Sequence, residues 1–498
     1  MLKKLACALF CAAPLLAPAA PLSQSATDTA RYALDTYRSQ VVESLAQMVR
    51  YNTVADPKQA FETNPQFVGF KGYLKQEAER LGFDYADFGY IVRIGLGSSD
   101  DRLGVITHGD VQPVDPAKWA RSPFELDSTS EPGRLLARGS EDDKGPIATA
   151  LYAMKAIKDR AIPLQKRIEL YVYLAEESDW DHLVQFLKEH APPQMNITLD
   201  SEYPAVTAEK GWGVIELGLP HLALSSASRP AVTEFGGGFF VSQIPEDAQA
   251  LLQNVDTALE QRIRARAAAQ QGMHYTFSRE GKALRIAAHG VSAHSSKPES
   301  GINAISMLAD ALAVQRWPDN TAGALVNLLN ELVGKGYQGE KFGKIAYSDS
   351  FMWPMTVAPT VIEHSAGGAK LSINIRRPQG KSAAQLRSEI DAALAAWQKV
   401  HVKLAAVQVE LSEPWVQKDA PQLDTLLSVF AHYTGERQAA PVATGGSTNS
   451  RLFPHAVSFG PTMPGKVYTG HSEHEYIMQE QLLLNLQMYT AVLVELAR

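Results

Sequence analysis

Cysteine is nearly absent. The chain of 498 residues has two, Cys7 and Cys11, both within its first 26 positions. A protein that loses this segment has neither disulfides nor thiolate metal ligands, so any metal must be held by histidine and carboxylate groups. A long apolar run is missing too. Leu5 to Leu16 falls short of the roughly 20 residues a membrane span needs, contains Pro14, and is followed by no stop-transfer pattern. With Lys3 and Lys4 before it and Ala17-Pro18-Ala19 after it, the segment reads as a secretory signal peptide within residues 1–26. Neither cysteine stands where a lipoprotein signal requires one. The expectation is a free periplasmic or secreted protein with no membrane contact after processing. Basic excess is the third absence. The chain has 47 Lys and Arg against 54 Asp and Glu, and losing the segment leaves 45 against 54, a formal charge of −9. That balance argues against nucleic acid as a partner.

What is present is apolar substance, 45% of the chain, spread over more residues than the roughly 250–300 that one core supports. Two domains are expected. From Thr27 to about 213, short β-rich runs alternate with helical patterns, the mark of a sheet covered by helices. Leu103 to Thr107 reads as a strand ending at His108, Arg167 to Ala175 as a strand ending at Glu176-Glu177, and Met195 to Leu199 as a strand ending at Asp200. Between the first two, Pro146 suits a helix's first turn, and Ile147, Leu151, Met154 and Ile157 recur at helical spacing. From 214 to 379 the pattern changes to a separate α+β module that reads as an insertion. From 380 to 498 the first character returns, with strand-like Val407 to Leu411 and helical patterns at Gln422 to Tyr433 and Glu480 to Leu496.

The chemistry-bearing residues cluster at strand ends and at one helix start, where open α/β sheets place their ligands. His108-Gly109-Asp110 offers an imidazole with a carboxylate able to orient it. In Gly139-Ser140-Glu141-Asp142-Asp143-Lys144, capping a helix needs one carboxylate, not three. Crowded acids persist most easily around a cation, and Asp142 or Asp143 can bridge two metals. Glu176 and Glu177 point to opposite faces, so one can coordinate while the other stays free to take a proton. Asp200 alone reads equally well as a turn aspartate.

These segments, with Lys118-Trp119-Ala120-Arg121-Ser122-Pro123-Phe124-Glu125, Tyr203-Pro204 and Glu209-Lys210-Gly211, closely resemble the M20 metallopeptidases, in particular their dipeptidase and carnosinase-like branch. The resemblance runs over nearly the whole processed chain. It implies an α/β fold, with a zinc-peptidase-like catalytic domain (27–213 and 380–498) of mixed sheet flanked by helices, plus an inserted α+β lid (214–379). It also implies two Zn²⁺, with Mn²⁺ compatible with the same ligands. His108, Asp142 and Asp200 would hold one metal and Asp142, Glu177 and His471 the other, with Asp142 bridging, Glu176 as base and Asp110 supporting the site. His471 lies in Gly470-His471-Ser472-Glu473-His474-Glu475, where His474 replaces the family's asparagine and becomes a rival ligand. Gly445-Gly446-Ser447-Thr448-Asn449-Ser450-Arg451 resembles the loop that binds substrate, with Arg451 receiving its terminal carboxylate. His294 resembles the lid histidine that meets the oxyanion, Ser242 falls where relatives carry an asparagine, and Arg376 matches a lid strand with a structural or peripheral role. The expected activity is hydrolysis of dipeptides with a free C-terminal carboxylate, by a monomer or homodimer. An M20-type carboxypeptidase or N-acyl amino acid deacylase is the alternative, and a peptide-binding protein with a decayed site the rival from another class.

Overall fold

The computed structural model describes residues 21–224, 226 and 228–498. Most of the expected signal peptide therefore lies outside the described residues. Helix α1 (Gln24–Met48) opens on Ser23, whose side chain accepts from the Ala26 amide. A turn later, α2 (Pro65–Leu81) begins with a proline in its first turn under an Asn64 cap and stops at Gly82 in the left-handed region, φ 77°.

The strands Asp84–Asp87, Ile91–Leu96, Arg102–His108, Arg167–Tyr173, Met195–Thr198 and Val206–Glu209 belong to a nine-stranded mixed sheet. At its centre Arg102–His108 lies parallel to both Arg167–Tyr173 and Met195–Thr198. Nearly every position of these strands is buried, as expected where helices cover both faces. Parallel pairing brings their carboxyl ends to one edge. There His108 terminates one strand, Glu176 and Glu177 follow the second, and Asp200 follows the third. On the flanks lie α3 (Lys144–Asp159) and α4 (Asp181–Glu189). The expected apolar stripe of α3, Ile147, Leu151, Met154 and Ile157, is fully buried.

A second core begins at the strand Gly211–Pro220, which pairs with Gly368–Arg377 on one side and Ala406–Leu411 on the other. Thr356–Ser365 completes that four-stranded sheet, and a second one comprises Ala231–Gly237, Asp247–Gln253, Ala283–His289 and His274–Glu280. Four helices pack on them: α5 (Thr257–Ala268), α6 (Ala304–Ala311), α7 (Thr321–Leu328) and α8 (Ala383–Trp397). The insertion therefore ends later than position 379. Leu386, Ile390, Leu394 and Trp397 of α8 bury themselves in this second core, and Ala406–Leu411 hydrogen-bonds to its first strand. The sequence after Pro378 alternates helix and strand just as the first domain does, so only pairing reveals where it belongs.

The chain then returns to the first core through α9 (Leu423–Thr434) and α10 (Gln479–Ala497). The latter packs on α1 and α3. No helix among the described residues is long and apolar enough to cross a membrane.

Candidate metal centre

His108, Asp142, Glu177, Asp200 and His471, five residues spread over more than 360 positions of sequence, meet at the carboxyl edge of the central sheet. Asp142 is the hub. One of its oxygens accepts from His108 Nε2 at 2.8 Å, while the other lies 3.3 Å from His471 Nε2. His471 also donates to Glu177 at 2.8 Å, and His108 Nε2 is 3.8 Å from Asp200. Potential ligand atoms of His108, Asp142 and Glu177, and of His108, Glu176 and Asp200, fall within 4.8 Å of one another. The donor set is imidazole and carboxylate throughout, which suits zinc or manganese.

The electrostatics fit the same tenant. Burial pushes Asp142 upward, but hydrogen bonds from His108 and His471 outweigh it and hold the carboxyl well below its usual range. Burial, with the Asp142 and Glu177 carboxylates beside it, raises Asp200. Glu176 is raised by burial, then by Asp200, Glu177 and Asp110. Four carboxylates thus share one enclosed pocket with two imidazoles, and the sum calls for added positive charge.

The supporting residues differ in part from the sequence-based expectations. Asp110 meets His108 Nδ1 with its main-chain oxygen, which accepts at 3.0 Å, and with a carboxylate oxygen 3.6 Å away. The two carboxylate oxygens accept the amides of Glu176 and Glu177, each at 3.0 Å. Asp110 is therefore a positioning residue that aims the glutamate pair, not a group that touches reacting atoms. The Asp143 carboxylate accepts from the His108 amide at 3.3 Å and stands outside both ligand groups among the described residues. His474 turns away to an exposed ion pair with Glu131 at 2.9 Å. Ser242 lines the larger of the cavities at the centre, and its carbonyl accepts from the Ser295 amide at 2.9 Å and lies 3.4 Å from His471 Nδ1.

Several contributors were not legible beforehand. Glu475 accepts from Arg138 and from the amides of Gly139, Glu141 and Asp142, fixing the loop that carries the bridge. Glu141 returns the tie, accepting from the amide and hydroxyl of Thr469 at 2.7 and 2.8 Å. Tyr468 donates to Asp142. Gly470 is needed between Tyr468 and His471 because a Cβ there would lie 2.8 Å from Asp142 Oδ2. His471 itself has φ 65°, a left-handed conformation that a non-glycine residue rarely keeps outside functional sites.

From the insertion, the short strand Ala293–His294 pairs with Gln243–Ile244 and brings the His294 ring to 4.3 Å from that of His471. This histidine reaches the centre from the same chain. Burial, then His471 and Arg376, push its pKa well below the usual value, so it is neutral. The Ser296 amide donates to its Nδ1 at 3.0 Å, which puts the remaining ring proton on Nε2.

Two cavities meet at the centre. The smaller, about 70 Å³, is walled by polar side chains including Glu202, Lys297, Thr444 and Ser447, with Gly446 in its lining. The larger, about 700 Å³, is lined by Trp180, Trp212, Phe240, Arg376 and Arg451 among others. Arg451 donates to buried Glu209 at 3.1 Å, and its Nη2 is without a partner among the described residues. Arg376, expected to be structural or peripheral, is 3% exposed, and among the described residues its side chain donates to Asn374, Ser295 and the Gly445 carbonyl. No carboxylate pairs with it among the described residues. A signal existed: in the strand Gly368–Arg377, Ser372, Asn374 and Arg376 alternate with Leu371, Ile373 and Ile375 although both faces are buried.

The sequence pattern that defines Peptidase family M20/M25/M40 matches residues 104–495. YtjP of Bacillus subtilis is 28% identical over 470 residues, spanning 93% of this chain and 98% of that protein. The Beta-Ala-Xaa dipeptidase of Lactobacillus delbrueckii subsp. lactis is 27% identical over 464 residues, spanning 92% and 96%. Among solved structures, human carnosine dipeptidase 1 superposes with a TM-score of 0.56 at 14% identity, covering 95% of this chain and 99% of that one. Dug1p from Saccharomyces cerevisiae gives 0.55 at 13% identity, covering 94% and 98%. The chain belongs to peptidase family M20/M25/M40 and is a hydrolase of the metallopeptidase type.

Proposed function

We propose that this enzyme hydrolyses dipeptides with a free C-terminal carboxylate at a centre of two divalent cations, zinc or manganese. His108, Asp142 and Asp200 would hold one cation and Asp142, Glu177 and His471 the other. The observation that carries the reading is Asp142, which faces a histidine with each of its oxygens. When bound, the cations supply charge that polarises a carbonyl and acidifies water.

The protein's own groups complete the reaction. Glu176 takes the proton of the attacking water and returns it to the leaving amine, a role open to it because its carboxyl has one weak hydrogen bond, from Asn449 at 3.4 Å. His294 donates its Nε2 proton to the developing oxyanion. Arg451 is paired with buried Glu209, whereas Arg376 has no ion pair among the described residues, so its guanidinium can receive the α-carboxylate of the substrate. The scissile bond then lies at the cations, with the C-terminal residue in the larger cavity and the N-terminal residue in the smaller one.

That division also favours a dipeptidase over an N-acyl amino acid deacylase. The smaller cavity is lined by hydroxyls and charged ends, a poor host for an apolar acyl chain. The curated relative named for acting on Beta-Ala-Xaa supports the same class. In this reading the segment within 1–26 directs export, and the enzyme acts in the periplasm or outside the cell, as a monomer or homodimer. The test is hydrolysis of a panel of dipeptides, acetylated amino acids and tripeptides by metal-loaded protein, before and after chelation. Chelator-sensitive release from dipeptides alone is expected. Preferential release from acetylated amino acids would replace the reading with deacylation.

A further inference from the structure

The wall beside the paired arginines is aromatic on three sides. Trp212 is the cross-strand partner of Arg376 in the antiparallel register of Gly211–Pro220 with Gly368–Arg377, so both side chains leave the sheet on the same face. Trp180 is pinned by its indole N–H, which donates to the Glu176 carbonyl at 2.7 Å. Phe240 stands edge-on to His471, ring centroids 5.9 Å apart. All three are only partly buried and line the same cavity of about 700 Å³. Rigid aromatic faces left partly bare beside a charged anchor are costly to hydrate and are relieved by apolar contact.

Resting on the proposed dipeptidase reading, we infer that the enzyme selects substrates by the C-terminal side chain: a large apolar or aromatic residue occupies the surface formed by Trp180, Trp212 and Phe240 while its carboxylate is held by Arg376 and Arg451. Both arginines and all three aromatic rings line one cavity, so a C-terminal residue held there by its carboxylate shares its space with them, whereas the N-terminal residue lies in the other cavity among Glu202, Lys297 and the hydroxyls. Burying such a side chain favours its substrate over glycine by roughly ten- to a hundredfold.

The experiment compares kcat/KM of the metal-loaded enzyme on glycyl-phenylalanine, glycyl-leucine, glycyl-glycine and phenylalanyl-glycine, with Trp212→Ala and Trp180→Ala as separate variants. Free phenylalanine and free glycine serve as inhibitors for a readout of binding alone. Expected are a preference for glycyl-phenylalanine and glycyl-leucine of about tenfold or more, expressed mainly in KM, and tighter inhibition by phenylalanine than by glycine. In at least one tryptophan variant the preference shrinks about tenfold. Two variants guard against the misfolding of either. Turnover of dipeptides without regard to the C-terminal side chain, or a preference that survives in both folded variants, overturns this inference and leaves the dipeptidase reading standing. No turnover of any dipeptide overturns both.

Discussion

Glu176 is raised by burial and by the carboxylates of Asp200, Glu177 and Asp110, and its proposed work requires the ionised form. kcat/KM is therefore expected to fall as pH drops through its pKa. Because bound cations oppose the upward push, the acid limb should move to lower pH as metal saturates the protein. A pH profile at two metal concentrations measures this. Glu176→Ala should keep its metal content, read by elemental analysis, and lose turnover; near-normal turnover would remove Glu176 from the base role. His294 makes a different demand. As a neutral donor to the oxyanion it should be worth about 10²–10³ in kcat, with a smaller effect on KM, so His294→Ala is to be assayed by steady-state kinetics on a good dipeptide. His471 is held up to about 10, because Glu177 and Asp142 outweigh the opposite effect of burial. At pH 7 the metal-free imidazole is protonated, so metal binding is expected to release protons, and calorimetry in buffers of different ionisation enthalpy would detect them.

At the scale of elements, two loops hold the bridge by reciprocal carboxylates. Glu475 gathers the amides of 139, 141 and 142, while Glu141 gathers that of Thr469. Glu475→Ala leaves three amides unpaired and buried Arg138 with the Pro113 carbonyl but no carboxylate. It should weaken metal affinity by about 10–100-fold and lower stability, as equilibrium metal titration and thermal unfolding would show. The strands ending at His108, Glu176 and Asp200 and the helix at Asp142 were readable because apolar runs and acid punctuation are local signals. The end of the insertion was not. Helix α8 and the strand Ala406–Leu411 carry no local mark of which core they join, and that membership is set by pairing with Gly211–Pro220. Arg376 was passed over for a similar reason, since its lack of a partner is visible only once the strands around it are assembled.

At the scale of the whole molecule, the insertion lies closed over the centre, tied to the first domain by Lys118 with Glu246 at 2.6 Å, Lys297 with Glu202 at 2.8 Å, and Gln243 with the His471 carbonyl at 2.8 Å. Chelation should destabilise this assembly, because it leaves the carboxylates facing one another. At cation levels a hundredfold above Kd the loss is about 2.7 kcal/mol, read as a fall in Tm on adding chelator. Ser23 caps α1, and its amide donates to Glu495 at 2.6 Å, so the mature N-terminus is expected between Ala20 and Ser23 by mass spectrometry of exported protein. A first residue beyond Ser23 would cost α1 its cap.

By itself the sequence determined which groups can do chemistry: no cysteine beyond Cys11, acids and histidines punctuating strand ends, and ordered motifs that tie it to one peptidase family. These are properties of composition and neighbouring residues, and they survive without a fold. Only the tertiary structure decided that Asp142 lies between two histidines, that Asp110 accepts the amides of a glutamate pair, that the Ser242 carbonyl lies beside His471, and that Arg376 is buried with no ion pair among the described residues. Each of these depends on distances between residues far apart in the chain, which packing and strand register set and no local pattern records.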